Sequence, residues 1–157
     1  MTSKKSVVLD LFFLKALELD DFELFRKSLM ILSLIYDKCH KILPSKSLNE
    51  LYSKYLRSFE KSFKSYYDRT KKNYFIFLMN KILLNSDKIS EVKELNIRIN
   101  ASEDDIPIIR TACTRFYSII VTSDEDDFKR NEEVMKVLEE YKVKVLNLDE
   151  AIKELSL

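Results

Sequence analysis

The chain has 157 residues, within the size of one domain and long enough to bury a real core. Its 27 Lys and Arg nearly balance 26 Asp and Glu, so bulk charge selects neither nucleic acid nor an acidic partner, and any recognition by charge must come from local clusters. Two cysteines exclude a disulfide framework, the absence of glycine excludes glycine-rich phosphate loops, and no apolar run reaches the roughly 18 residues that span a bilayer. The start MTSKKSVVLD meets an acid before a signal-type core develops, so a soluble, cytoplasmic, one-domain protein (1–157) with reduced thiols and no membrane partner is expected.

In chain order, Ser6 to Asp10 (SVVLD) is a β-branched run that reads as a buried strand. Asp20 opens an expected helix, with Glu23 at capping-box spacing and Phe22, Phe25, Leu29, Leu32 and Tyr36 on one stripe. Lys41 to Leu43 reads as a second strand ended by Pro44, after which Ser45 or Ser47 can cap a helix that turns Leu48, Leu51, Tyr55, Leu56, Phe59 and Phe63 inward. Asn73 to Leu84 reads as a helix apolar on most sides. Lys88 to Asn100 mixes helical spacing (Ile89, Val92, Leu95) with strand alternation (Ile97, Ile99). A helix from about Asp104 to Phe116, a strand Ile119 to Thr122, a helix Glu132 to Tyr141, a strand Val143 to Leu146 and a last helix from Asp149 complete the order. Without glycine, Asn73, Asn85, Asn100 and Asn131 are the expected residues at left-handed helix ends, because Asn tolerates that conformation best. Strands alternating with helices define an α/β fold, a mainly parallel sheet of four or five strands with helices on both faces.

Sites in such sheets form beyond the carboxyl ends of the strands. Asp10 ends the first strand and Asp124 follows the third, so both belong on that edge. Pro107 fits only the first turn of its helix, which sets the start near Asp104. Asp104 is then the N-cap, while Asp105 borders the apolar stripe of Ile106, Ile109, Cys113 and Phe116 and is aimed toward the sheet edge. Converging carboxylates repel unless a cation neutralises them, and an all-oxygen set without His or Cys suits Mg²⁺ or Mn²⁺. Two such ions about 4 Å apart stabilise the attacking and leaving oxygens of phosphodiester hydrolysis. The plainer reading is that these acids cap helices, end strands and form a solvated turn at Glu125 to Asp127.

The segments VVLD, SLNELY, DDIPIIRTA, IIVTSDEDDF and KVKVLNLDEAI together resemble the PIN domain, a metal-dependent ribonuclease fold, across nearly the whole chain. The resemblance implies a three-layer sandwich and a four-carboxylate site of Asp10, Glu50, Asp105 and Asp124, holding Mg²⁺ or Mn²⁺ and cleaving RNA. Asp127 would fill a fifth acidic position, with Asp126 as the alternative because one extra residue precedes the Asp-Phe pair. Many small proteins of the family are toxins, which implies a possible antitoxin partner. The chain departs from the family at Leu11 and Phe12, where a small polar residue and often Asn usually follow the first aspartate. Glu50 also falls nearly opposite the apolar stripe of its own helix. These departures motivate the alternative of a catalytically silent PIN-like module that binds RNA or protein.

Between Tyr52 and Lys72, the basic Lys54, Arg57, Lys61, Lys64, Arg69, Lys71 and Lys72 interleave with aromatics. Basic side chains there can track a phosphate backbone while Tyr66 and Tyr67 stack on unpaired bases of single-stranded or structured RNA. An ordinary solvated helix face accounts for the lysines equally. His40 beside Cys39 lacks a second histidine and is not expected to bind metal or act as a nucleophile. The helices carrying Phe22 to Tyr36 and Tyr74 to Leu83 are apolar enough for a homodimer or partner surface, or for deep burial.

Overall fold

The computed structural model of the protein describes residues 4–18, 21–60, 69–70, 73–74, 77 and 95–157. The element order among them is β1 (Ser6–Leu9), α1 (Phe12–Glu18), α2 (Phe22–Asp37), β2 (Lys41–Ile42), α3 (Lys46–Glu60), α4 (Asp105–Ala112), β3 (Ile119–Val121), α5 (Glu125–Lys129), α6 (Glu132–Glu140), β4 (Lys144–Leu146) and α7 (Leu148–Leu155). The four strands form one all-parallel sheet in the order β2-β1-β3-β4. Val7, Val8 and Leu9 of β1 and Ile119, Ile120 and Val121 of β3 are buried throughout, as expected for strands covered on both faces. Right-handed crossovers put the connection from β1 to β2 on one face and that from β2 to β3 on the other. Accordingly α2 packs on α1 and α7, while α3 packs on α4, which lies against β1 and β3. The result is an α/β sandwich with helices on both faces of the sheet.

Register places Leu9 beside Val121 and Val121 beside Leu146, so the chain leaves β1, β3 and β4 at one level. From β1 the chain turns to β2 on one side and later returns to β3 on the other. The carboxyl ends of β1 and β3 therefore flank the switch in strand order, where open parallel sheets form a crevice.

Two helices, α1 and α5, have no counterpart in the sequence reading. Helix α1 is unforeseen because Leu11, Phe12, Phe13, Leu14, Ala16 and Leu17 are all buried, and a helix apolar on nearly every side carries no amphipathic period. Helix α5 arises where a solvated turn was expected, and its partly exposed Glu125 accepts from Lys129 Nζ at 2.6 Å and Asn147 Nδ2 at 3.1 Å. Helix α2 starts one residue later than the capping-box spacing suggested, with Asp21 accepting from the Leu24 amide. Ser45, not Ser47, caps α3 by accepting from the Leu48 amide. Helix α4 is shorter than expected, and Asp104 at its N-cap makes no capping bond; the Asp105 amide instead donates to Ser102 Oγ and to the Ser102 carbonyl. Asn73, Tyr74 and Phe77 are helical, whereas Asn85 and most of the expected 73–84 helix lie outside the described residues. Residues 95–100 form no regular element, yet their side chains alternate between partly buried and exposed. Arg110 Nε donates to the Ile97 carbonyl at 3.1 Å and fastens this segment to α4.

The left-handed positions also fall elsewhere than expected. Among the described residues, Cys39, Tyr117 and Lys142 carry positive φ, at 57°, 63° and 58°, whereas Asn131 and Asn147 cap helix N-termini with their side chains. Cys39 and Lys142 stand just past the C-caps of α2 and α6. There the Cys39 and His40 amides donate to the Tyr36 and Ile35 carbonyls, and the Lys142 and Val143 amides to Glu139 and Leu138. These are Schellman closures, and each launches the strand that follows. Strand launch fixes where the left-handed residue must stand; Asn is more useful where its side chain can accept from a helix N-terminus.

Among the described residues, no helix is long and apolar enough to cross a membrane.

Candidate functional site at the carboxyl edge of the sheet

Asp10 follows β1 and continues its pairing, the Asp10 amide donating to the Val121 carbonyl at 2.9 Å. Its side chain is buried, with 8 % exposure, and both oxygens are engaged. The Leu11 amide donates to Oδ1 at 2.7 Å and the Thr122 hydroxyl to Oδ2 at 2.6 Å. Thr122, the first residue past β3, also accepts from the Asp124 amide at 3.0 Å. One hydroxyl thus ties the end of β1 to the turn that carries Asp124.

The Leu11 carbonyl accepts from the Leu14 and Lys15 amides and begins α1, which puts Lys15 one turn above Asp10. Lys15 Nζ meets Asp124 Oδ2 at 3.3 Å. Asp124 is exposed and stands at the N-cap of α5, where it makes no capping bond, so its carboxylate is turned to Lys15 and not to its own helix. Asp105, half-buried, opens α4.

The charges of these residues act on one another. Burial raises the Asp10 carboxyl above the ordinary carboxylate value, the Thr122 and Leu11 hydrogen bonds oppose this, the charge of Asp105 adds to it, and Lys15 opposes it. Burial likewise raises Asp105; a hydrogen bond from Ser102 lowers it, and the charges of Asp127, Asp104 and Asp124 raise it further. Desolvation pulls Lys15 down, but the charge and hydrogen bond of Asp124, with Asp10 and Tyr55, outweigh it and hold the ammonium above its ordinary value. Aspartates from three separate elements therefore share one electrostatic environment, in which acid exceeds base.

Of the two acids left open for the fifth position, Asp127 is the one whose charge acts on Asp105, while Asp126 pairs with Arg130 at 3.6 Å. Glu50 stands apart: it is exposed, on an outer face of α3 shared with Lys46, Asn49, Ser53, Lys54 and Arg57. The side of α3 that addresses Asp10 carries tyrosines. The Tyr52 hydroxyl, fully buried, donates to the Leu9 carbonyl and is coupled to Asp10. Lys54, Arg57 and Arg69 are exposed, and Lys61, Lys64, Tyr66, Tyr67, Lys71 and Lys72 lie outside the described residues. His40 is structural: Nδ1 accepts from the Lys5 amide at 3.1 Å and Nε2–H donates to the Leu155 carbonyl at 3.0 Å.

Sequence reasoning missed Lys15, Thr122 and Tyr52. Thr122 had a signal in the VTSD turn, two residues before Asp124. Lys15 had none, because its place depends on α1.

The donor chemistry suits a hard divalent cation: every candidate ligand is a carboxylate, and two are held above their ordinary values by burial and by neighbouring carboxylates. Among the described residues, however, no group of three or more His, Cys, Asp or Glu side chains is arranged to hold a metal ion. Mg²⁺ does not require such a cage, since it commonly binds through one or two carboxylates, water and substrate phosphate. The chain matches no protein-family model, no curated protein and no solved structure.

Proposed function

We propose that the protein is a cytoplasmic, divalent-metal-dependent endoribonuclease of the PIN type. What carries the reading is Asp10: a buried carboxylate at the strand-order switch, raised by burial and further by Asp105. A group maintained against its own solvation cost, beside other acids, is a mark of a functional site. Asp10 and Asp105, with Asp124 and Asp127, would hold Mg²⁺ or Mn²⁺, which when bound supplies a nucleophilic water and neutralises charge on the phosphodiester.

The chain's own residues have distinct parts in this reading. Thr122 and the Leu11 amide fix both Asp10 oxygens, which replaces the steadying role of the side chains lost at Leu11 and Phe12. Lys54 and Arg57, exposed on α3, suit the backbone of an RNA strand. Glu50 has no part as a ligand in this version of the site, and any antitoxin or second copy of the chain is a further proposal.

The rival is a catalytically silent RNA- or protein-binding module, favoured by the ion pair Lys15 makes with Asp124 and by the lack of a preformed metal group among the described residues. Purified protein incubated with single-stranded RNA and Mn²⁺ or Mg²⁺, beside EDTA and Asp124→Asn controls, separates the two. Cleavage abolished by EDTA and by the substitution is the expected result. RNA left intact under every metal condition favours the rival, and cleavage that survives both controls overturns the metal-dependent reading without supporting a silent module.

A further inference from the structure

Lys15 is an unusual presence among these carboxylates. It is delivered there by backbone geometry: the turn at Leu11 that holds Asp10 also begins α1, and one helical turn carries Lys15 back over the carboxyl edge. Its ammonium occupies Asp124 Oδ2, and its charge opposes the burial of Asp10. The side chain is about one-third exposed, so the head can leave for solvent while the stem stays in place.

We propose that Lys15 is the resident counter-ion of the carboxylate cluster, and that a divalent cation binds there only by displacing its ammonium from Asp124. The inference rests on the reading of Asp10, Asp105 and Asp124 as metal ligands and adds a determinant of their affinity. Two features force the competition. Asp124 Oδ2 is engaged by Lys15, and a doubly charged ion held at Asp124 would repel an ammonium at hydrogen-bond range. Lys15 thus keeps the acid cluster partly neutral when no metal is bound and weakens binding when metal arrives. Release of Lys15 from Asp124 and occupation by metal become one exchange, which raises the free cation concentration needed for half-occupancy above that of an unguarded cluster.

The test is direct Mn²⁺ titration of the EDTA-stripped full chain, with free Mn²⁺ read by electron paramagnetic resonance. Lys15→Met removes the charge and keeps the stem; Lys15→Arg keeps the charge. The Met variant should bind Mn²⁺ on the order of tenfold more tightly than the unaltered chain, a step of about 1.4 kcal/mol, and the Arg variant should not. In an Asp124→Asn background, which removes the partner of Lys15, the gain from Lys15→Met should shrink. Lys15→Gln serves the same arm should the Met variant fail to fold. Unaltered protein that binds Mn²⁺, with Lys15→Met no tighter, overturns the role of Lys15 and leaves the metal reading standing. If that variant also binds RNA more weakly, Lys15 serves phosphate instead. If neither the unaltered chain nor Lys15→Met binds Mn²⁺, both the metal reading and the counter-ion fail together.

Discussion

The two ends of the sheet are both polar, and they treat polarity in opposite ways. At the amino edge, His40 bridges the Lys5 amide and the Leu155 carbonyl, and Glu154 Oε1 meets Lys5 at 3.1 Å and Lys144 at 3.6 Å. Donors and acceptors match there, and Glu154 is held below its ordinary value by its hydrogen bond and attraction to Lys5, with Lys144 adding to both. At the carboxyl edge, Asp10 and Asp105 are both held above theirs, and the ammonium of Lys15 answers only Asp124 and Asp10. A polar cluster that lowers the energy of its own charges is scaffold. One that raises them suits a ligand from outside, and this contrast makes the carboxyl edge the candidate site.

The largest expected effect is at the amino edge. His40→Ala removes a buried ring and orphans the Lys5 amide and the Leu155 carbonyl, which together tie the chain's first described strand to its last helix. A loss of roughly 2–4 kcal/mol in urea unfolding is expected, from the cavity and the unmet hydrogen bonds together. Mn²⁺ affinity should be unchanged. A variant of near-normal stability would show that the amino edge is not the scaffold described.

At the carboxyl edge the sign should reverse. Asp10→Asn keeps an acceptor for the Leu11 amide and can donate to Thr122, while the buried charge is gone. Metal-free protein should therefore gain roughly 0.5–2 kcal/mol at neutral pH, as functional sites often do when their strain is removed. Because the folded pKa of Asp10 lies above its unfolded value, the folded state binds this proton more tightly. Stability from that preference is complete below the unfolded carboxylate value and is lost as pH rises through the folded one. Urea melts across the acidic range should show this downward slope in the parent chain and a shallower one in Asp10→Asn. A destabilised variant with the parent slope would place the strain elsewhere.

How much of this could be read from residues follows from which forces are local. The strands could, because parallel strands buried on both faces are short β-branched runs, and each lies within a residue of its expected bounds. Asp10 and Asp124 could, because they directly follow such runs. Leu11 and Phe12 read only as a departure; in the fold they open α1, a helix without a polar face, and that helix brings Lys15 to the site. The position of Glu50 was already visible on the helical wheel, and the exposed side chain follows the wheel and not the family pattern. The left-handed residues were illegible because Cys39 and Lys142 are selected by where α2 and α6 must stop to launch β2 and β4, a tertiary requirement.

The smallest effect sharpens the comparison most, because it tests its sign. Glu154→Gln keeps the shape of the side chain and removes its charge from between Lys5 and Lys144. The carboxylate is partly exposed, so solvent screening limits the loss to less than about 1 kcal/mol at low ionic strength, shrinking as salt is added. Glu154 is lowered in the folded state, so its contribution is present above the unfolded carboxylate value and is lost as pH falls through the folded one. The parent chain should thus carry two opposed dependences: one from Glu154 that favours higher pH, and one from Asp10 that favours lower pH. Difference melts of Glu154→Gln and Asp10→Asn against the parent should separate them as slopes of opposite sign. Slopes of the same sign would mean that the two edges do not differ in the way their charges are held, and the electrostatic ground for preferring the carboxyl edge as the site would be gone.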